Sequence, residues 1–191
     1  MKEETVDRRV RKTRRLLRQC LTALLKEKKI QDITVREIAD MADINRGTFY
    51  LHYKDVFDLM EQIEAELLDE LEDVLNRYRA QDLLSRPSLI FAELYPLVKD
   101  NSDMVAILIG DNGDLNFVNR LKEIVREKCL KDWMELKCPN SSGSFEAYYF
   151  FIVSGCIGMV QYWLNSGIKE SPEQLAAMSE DIILIGIKVL E

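Results

Sequence analysis

Apolar residues recur at spacings of three and four along almost the whole 191-residue chain, and strict alternation is absent over any useful length. That period belongs to helices and not to strands, so the expected fold class is all-α, with about nine helices. Val10, Leu17, Cys20, Leu21, Leu24 and Leu25 form one stripe, and Arg8, Arg11, Lys12, Arg15 and Arg18 lie largely off it. The pattern predicts a first helix from about Asp7 to Lys28 with a basic, solvent-facing side. Thr34-Val35-Arg36-Glu37 reads as a capping box and opens a second helix to Met41 or Ala42. Asp43-Ile44 leaves a very short connection before Asn45, a favoured N-cap, and a third helix is predicted over Arg46 to Tyr53. Two short helices so closely joined make a helix-turn-helix pattern.

Downstream, Asp55 is placed to cap a long helix with the stripe Val56, Leu59, Met60, Ile63, Leu67, Leu71, Val74 and Tyr78. Its other face, with Glu61, Glu64, Glu66, Asp69, Glu70, Glu72 and Asp73, reads as solvated. Arg86-Pro87-Ser88 opens a helix through Leu97 with a kink expected at Pro96, and Ser102 is placed to cap a short helix ending before Gly110. Asp111 to Asp114 lacks the alternating ligands of a calcium loop and reads as a turn and cap for a helix from Asp114 to Lys137. Cys138 to Gly143 reads as a loop, followed by a helix from Phe145 to about Ser166. Ser171-Pro172-Glu173-Gln174 is a complete start signal for a last helix to Leu190.

Composition alters this outline in two places. Apolar residues at 47% and charged residues at 31% exclude wholesale disorder. The net charge of −7 argues at first against a nucleic-acid partner, yet it conceals an asymmetry. Residues 1–54 carry 14 Lys and Arg against 8 Asp and Glu, a net of +6, and the rest carries −13. The four cysteines, Cys20, Cys129, Cys138 and Cys156, show no CxxC pairing, and Lys-Glu-Glu-Thr after Met1 is no signal-peptide core. The expectation is a reduced cytoplasmic protein in which the three cysteines inside helical patterns are small buried hydrophobes, in preference to a redox switch through Cys129 and Cys138.

The 22 residues from Ala147 to Ile168 carry no charge, a length that raises the question of a membrane span. Ser154, Gly155, Gly158, Gln161, Asn165, Ser166 and Gly167 interrupt it, and no Lys/Arg cluster flanks it to set an orientation. A helix buried in its own domain and against a partner fits better, and no membrane association is expected.

Candidate chemistry concentrates in the third helix. Phe49 and Tyr53 project to one side, where Ile38, Ala39 and Ala42 can pack on them, leaving Gly47, Leu51 and part of Tyr50 outward. Glycine in a helix costs about 1 kcal/mol relative to alanine, and close approach of a partner would offset that cost. An outward Leu51 suits a thymine methyl in a major groove. Arg46 and Thr48 can reach base edges, Tyr50 and His52 carry side-chain donors, and Lys54 and the helix start at Thr34 suit phosphate. An enzyme finds little support: His52 is the one histidine, no phosphate-binding glycine loop is present and no metal-ligand set has usable spacing. No cofactor is expected.

Thr34-Val-Arg-Glu-Ile-Ala39 followed by Asn45-Arg-Gly-Thr-Phe-Tyr-Leu-His-Tyr-Lys54 resembles the DNA-binding signature of the tetracycline-repressor (TetR) family of bacterial transcription regulators, over about Arg9 to Leu67. The resemblance implies a DNA-binding domain at 1–54 with its helix-turn-helix at 34–53, and a helical regulatory and dimerisation domain at 55–191. It implies base contacts from Arg46, Gly47, Thr48 and Leu51 and phosphate contacts from Thr34, Tyr50, His52 and Lys54; Arg36 and Asn45 complete the expected DNA-binding set. Where many members have glycine in the turn this chain has Asp43, a residue that tolerates the left-handed conformation. The segment Ile152 to Leu164 with Gly167 and Glu170 to Glu173 is similar to a subgroup that includes regulators of dihydroxyacetone kinase operons.

The resemblance further implies a homodimer through the last two helices, with Ser154, Gly155, Gly158 and Tyr162 at the interface, reading a palindromic operator. Phe91, Tyr95, Met104, Phe117, Trp133, Tyr148, Tyr149 and Trp163 are candidate pocket residues for a small-molecule effector, with simple core packing the stronger reading of each. Repression is the expected sense, although the sign depends on where the operator lies relative to a promoter. The alternative is an all-α protein–protein adaptor or a coactivator-dependent activator.

Overall fold

The computed structural model describes residues 2–79, 86–110, 113–130 and 142–187. Among them are nine α-helices and no strand. They are α1 (Lys2–Leu25), α2 (Val35–Met41), α3 (Arg46–Tyr50), α4 (Val56–Asn76), α5 (Ser88–Asp100), α6 (Ser102–Ile109), α7 (Leu115–Val125), α8 (Ser142–Asn165) and α9 (Pro172–Ile187). The chain divides into two compact units at Leu67/Leu68, so α4 contributes to both.

In the first unit α2 packs on both α1 and α3. Leu17, Leu21, Ile38, Ala39, Phe49 and Leu59 lose essentially all their exposure, and each large apolar side chain so buried contributes about 1.5–3 kcal/mol. The capping box of α2 forms as the sequence predicts: Glu37 N–H donates to Thr34 Oγ1 at 3.3 Å and Thr34 N–H to Glu37 Oε2 at 2.9 Å. At its other end, Ile44 N–H donates to the Ala39 carbonyl (3.0 Å) and Asp43 N–H to the Asp40 carbonyl (3.3 Å), a Schellman closure with Asp43 at φ 51°. Asp43 therefore occupies the left-handed position that glycine would fill most cheaply.

Several boundaries differ from the sequence reading. Helix α1 begins at Lys2 instead of Asp7, since no glycine or proline stops it, and ends at Leu25, where Glu27 and Lys28 N–H groups both turn back to the Leu24 carbonyl. Helix α3 ends at Tyr50, not Tyr53, because His52 N–H pairs three residues back with the Phe49 carbonyl at 2.9 Å and tightens the last turn. Glu64 is buried and not solvated; it follows Met60 and Ile63 and precedes Leu67 and Leu68 on a buried face of α4 wider than the stripe anticipates.

In the second unit α5 continues past Pro96 to Asp100, and the cap of α6 is Asn101 rather than Ser102. Asp114 caps α7 by accepting from the N–H groups of Asn116 (2.7 Å) and Phe117 (3.1 Å), and α7 relaxes into a π-helical turn over Arg126–Leu130. Helix α8 takes Ser142 to Ser144 into its first turn, whose N–H groups need no partner within the helix. Asp111, Asn112, the remainder of the helix expected to Lys137, Cys138 and Leu190 lie outside the described residues. Helix α8 closes in a second Schellman motif, with Ile168 N–H on the Trp163 carbonyl (2.9 Å) and Gly167 N–H on the Leu164 carbonyl (3.1 Å); Gly167 and Ile168 lie at φ 84° and 57°.

Tyr95, Trp163, Leu175 and Ala176 form a core where α5, α8 and α9 meet, joined by Phe91, Val98, Met159, Val160 and Ile168. Its polar atoms find partners: Tyr95 Oη and Ser179 Oγ share a 2.6 Å hydrogen bond, and Trp163 Nε1 donates to the Glu170 carbonyl at 3.0 Å. Burial pushes the Tyr95 hydroxyl up to about 12. Tyr149 and Val153 form a separate cluster with Val125 and Ile157. Met104 and Phe117 are buried as well, while Trp133 and the side chain of Tyr148 lie outside the described residues.

Among the described residues no helix is long and apolar enough to cross a membrane. The apolar surface of α8 takes another form. Phe151, Gly155, Gly158 and Tyr162 follow one another at spacings of four and three along a single line, with Phe151 71% and Tyr162 63% exposed. Ser154 is exposed beside Gly155. Neither Gly155 nor Gly158 has anything within 4 Å of where a Cβ would stand. On α9, Met178, Ile182 and Ile185 form a matching exposed apolar line.

Candidate nucleic-acid interface

The tight joint between α2 and α3 fixes which face of α3 is left outside. Phe49 and Tyr53 are buried with their rings 5.7 Å apart, so the opposite side carries Arg46, Gly47, Tyr50 and Leu51. Leu51, at the end of α3, is 81% exposed and Tyr50 57%. Asn45 is turned to structural use: its Oδ1 accepts from Gly47 N–H at 2.8 Å and starts the helix. Thr48 is half-buried.

Nothing inside the protein demands glycine at position 47. A Cβ there would meet Asn45 Oδ1 at 3.4 Å and no other neighbour, an ordinary contact. The helix thus retains a destabilising residue on its most exposed face without an internal reason.

Around this face the polar groups differ in readiness. Arg36 pairs with Asp40 at 3.5 Å, both largely exposed, and its charge can be redirected at little cost. Thr34 is fully engaged: besides accepting from Glu37 N–H, its hydroxyl donates to Glu37 Oε2 at 2.8 Å. Lys28 binds the other oxygen of the same carboxylate. The hydrogen bonds from Lys28, then from Thr34, hold the Glu37 carboxyl down at about 2. Lys54 is exposed, with its backbone N–H tied to Asp58 Oδ2 at 2.7 Å. Burial, then the Arg14 charge, pushes the His52 imidazole below its ordinary value.

The structure brings Arg46, Gly47, Tyr50, Leu51, His52 and Lys54 into one neighbourhood. Thr34 and Arg36 stand at the start of α2. Two residues were missed. Arg14 lies with its guanidinium carbon 5.8 Å from the centre of the Tyr53 ring, and Lys28 anchors Glu37. Arg14 was findable, since it falls between Val10 and Leu17 on the inward line of α1; Lys28 was not, because nothing local relates it to Glu37. Among the described residues no group of three or more His, Cys, Asp or Glu is placed to hold a metal. Cys20 and Cys156 are free thiols pushed up by burial, Cys156 to about 11, which leaves them little thiolate; the Cys129 side chain lies outside the described residues.

The chain is similar to known proteins on both sides of its unit boundary. It is 24% identical over 169 residues to an uncharacterised HTH-type transcriptional regulator, YxbF, of Bacillus subtilis (strain 168). That match takes in 84% of this chain and 42% of YxbF, so the chain spans less than half the length of that relative. In fold it resembles a TetR transcriptional regulator from Streptococcus agalactiae 2603V (TM-score 0.61, 20% identity, 95% of this chain and 98% of that one). It also resembles the dihydroxyacetone kinase operon activator DhaS (TM-score 0.61, 17% identity, 93% and 97%). Residues 86–184, more than half of the chain, match the TetR C-terminal family described as "Transcriptional regulator C-terminal region". With the helix-turn-helix in front of that region, the chain belongs to the TetR family of transcriptional regulators.

Proposed function

We propose that the protein is a sequence-specific regulator that binds a palindromic DNA operator as a homodimer and inserts α3 into the major groove. The observation that carries this reading is the exposed Arg46–Gly47–Tyr50–Leu51 face, where an unneeded glycine and a solvent-facing leucine lie among cations. Arg46, Gly47, Thr48 and Leu51 would face bases; Arg36, Tyr50, His52 and Lys54 would face phosphates, with Thr34 and Asn45 holding the starts of α2 and α3, the first of them turned to a phosphate by its helix N-terminus. Two such heads can enter successive major grooves about 34–36 Å apart, and the exposed lines of α8 and α9 supply a self-complementary surface for pairing. The protein would act in the cytoplasm.

Release by a small-molecule effector is part of the proposal, acting through different affinities for two spacings of the heads. Phe91, Tyr95, Met104, Phe117, Tyr149 and Trp163 are the described candidates for its pocket. DhaS is named an activator, and the sense of regulation here follows from operator position and not from the fold.

Selection of bound duplexes from a random pool at near-physiological salt tests the proposal, with a palindromic consensus as the expected result. Against that consensus, Arg46→Ala is expected to relax one base position by about 1–3 kcal/mol and Lys54→Ala to weaken all sequences alike. Absence of any consensus overturns the reading in favour of a protein adaptor.

A further inference from the structure

The first half of α1 is not explained by the packing of its own unit. No described side chain from Arg8 to Leu16 is buried, and the first that is buried is Leu17. The helix is nevertheless continuous here, so nine described residues, roughly 14 Å of helix at ~1.5 Å per residue, precede Leu17. Arg8, Arg9, Arg11, Lys12, Arg14 and Arg15 place six cations in eight successive residues with no carboxylate among them. Like charges three and four apart weaken a helix, and this arrangement sets Arg8 against Arg11 and Lys12, and Arg15 against both of those. Glu4 and Asp7, four residues before Arg8 and Arg11, offset part of that repulsion, and the excess of exposed cations that is left is suited to an external polyanion.

Position indicates which polyanion. Arg14 lies over the Tyr53 ring, and its charge acts on His52; these two residues follow α3 directly and precede Lys54. The basic segment is thereby tied to the stretch of chain between α3 and Lys54, in the same unit as the DNA-facing residues. A membrane surface is a poorer match, because an interfacial helix needs an apolar face and Val10 is the sole apolar residue from 8 to 15.

We propose that the N-terminal half of α1, through the exposed side chains of Arg8, Lys12 and Arg15, binds phosphates of the duplex flanking the bases read by α3. Each head's footprint then extends beyond its half-site. The inference rests on the DNA-binding reading above, and its test separates the two.

The full chain is titrated with two duplexes bearing the selected consensus, one trimmed at the half-site boundaries and one extended by about one helical turn, ~10 bp, on each side. The wild-type chain is expected to bind the extended duplex more tightly. The triple variant Arg8→Gln, Lys12→Gln, Arg15→Gln is expected to bind both alike. On the extended duplex its slope of log affinity against log salt should fall by about 2.7 per head, from three lost phosphate contacts at ~0.9 each, with its consensus and thermal unfolding unchanged. A variant that keeps the wild-type salt slope and length dependence while selecting the same consensus overturns the inference and leaves DNA recognition standing. Adhesion to vesicles of anionic phospholipid that vanishes in the variant, with DNA binding untouched, overturns it in favour of a membrane. A wild-type chain that selects no duplex overturns both.

Discussion

At the scale of single residues, Gly47 separates the demands of folding from those of binding. Alanine at 47 has room in the protein and removes a residue that costs a helix about 1 kcal/mol. Gly47→Ala is expected to stabilise the first unit by up to that amount in urea unfolding and to weaken operator binding in the same preparation. The glycine was legible as an anomaly from its position alone; that nothing inside the protein requires it needed the neighbours in space. Tyr95 and Ser179 illustrate the reverse case, being 84 residues apart and unrelated by any local pattern. Ser179→Ala strands a buried hydroxyl and is expected to cost about 1–3 kcal/mol, whereas Tyr95→Phe combined with Ser179→Ala is expected to recover part of that loss. A double-mutant cycle by chemical denaturation measures the coupling.

At the scale of elements, starts were more legible than ends. Thr34, Asp55, Asp114 and Ser171 all cap as their types and spacings suggest, because a cap is settled by side chains within three residues of one another. The end of α3 depends instead on how Phe49 and Tyr53 lodge in the core, and local pattern overextends it. The α2 cap carries a pH signature. Glu37 is held at about 2 in the folded chain against an ordinary 4.5, so the unfolded chain binds more protons between those values. Its contribution is present in full above about 4.5 and is lost as pH falls through 2. Acid unfolding monitored in the first unit should therefore lose part of its pH dependence in Glu37→Gln, with Lys28→Met shifting it in the same direction.

At the scale of the whole molecule, the same reasoning that applies to Gly47 applies to α8. Gly155 and Gly158 lie on a line with Phe151 and Tyr162 and have open space before them, so in the proposed homodimer a larger side chain would disturb the second copy before the chain itself. Gly155→Leu is expected to leave folding intact, to weaken self-association by about tenfold or more through overpacking, and to cost more affinity on a full palindrome than on a half-site. Sedimentation and paired titrations check both. Net charge behaved similarly: the total of −7 misled, while its division into +6 and −13 pointed to the end of the chain that holds the helix-turn-helix. By itself the sequence determined the helical class, the caps, the helix-turn-helix and the family resemblance, because periodicity, capping and turn chemistry act over three to seven neighbouring residues. Only the tertiary structure decided that no described side chain of α1 before Leu17 is buried, that Glu64 is buried, that Arg14 lies over Tyr53, that Gly47 has room for a Cβ and that Gly155 and Gly158 face open space. Those facts depend on which residues distant in the chain come together, and burial is a property of that arrangement and of no local pattern.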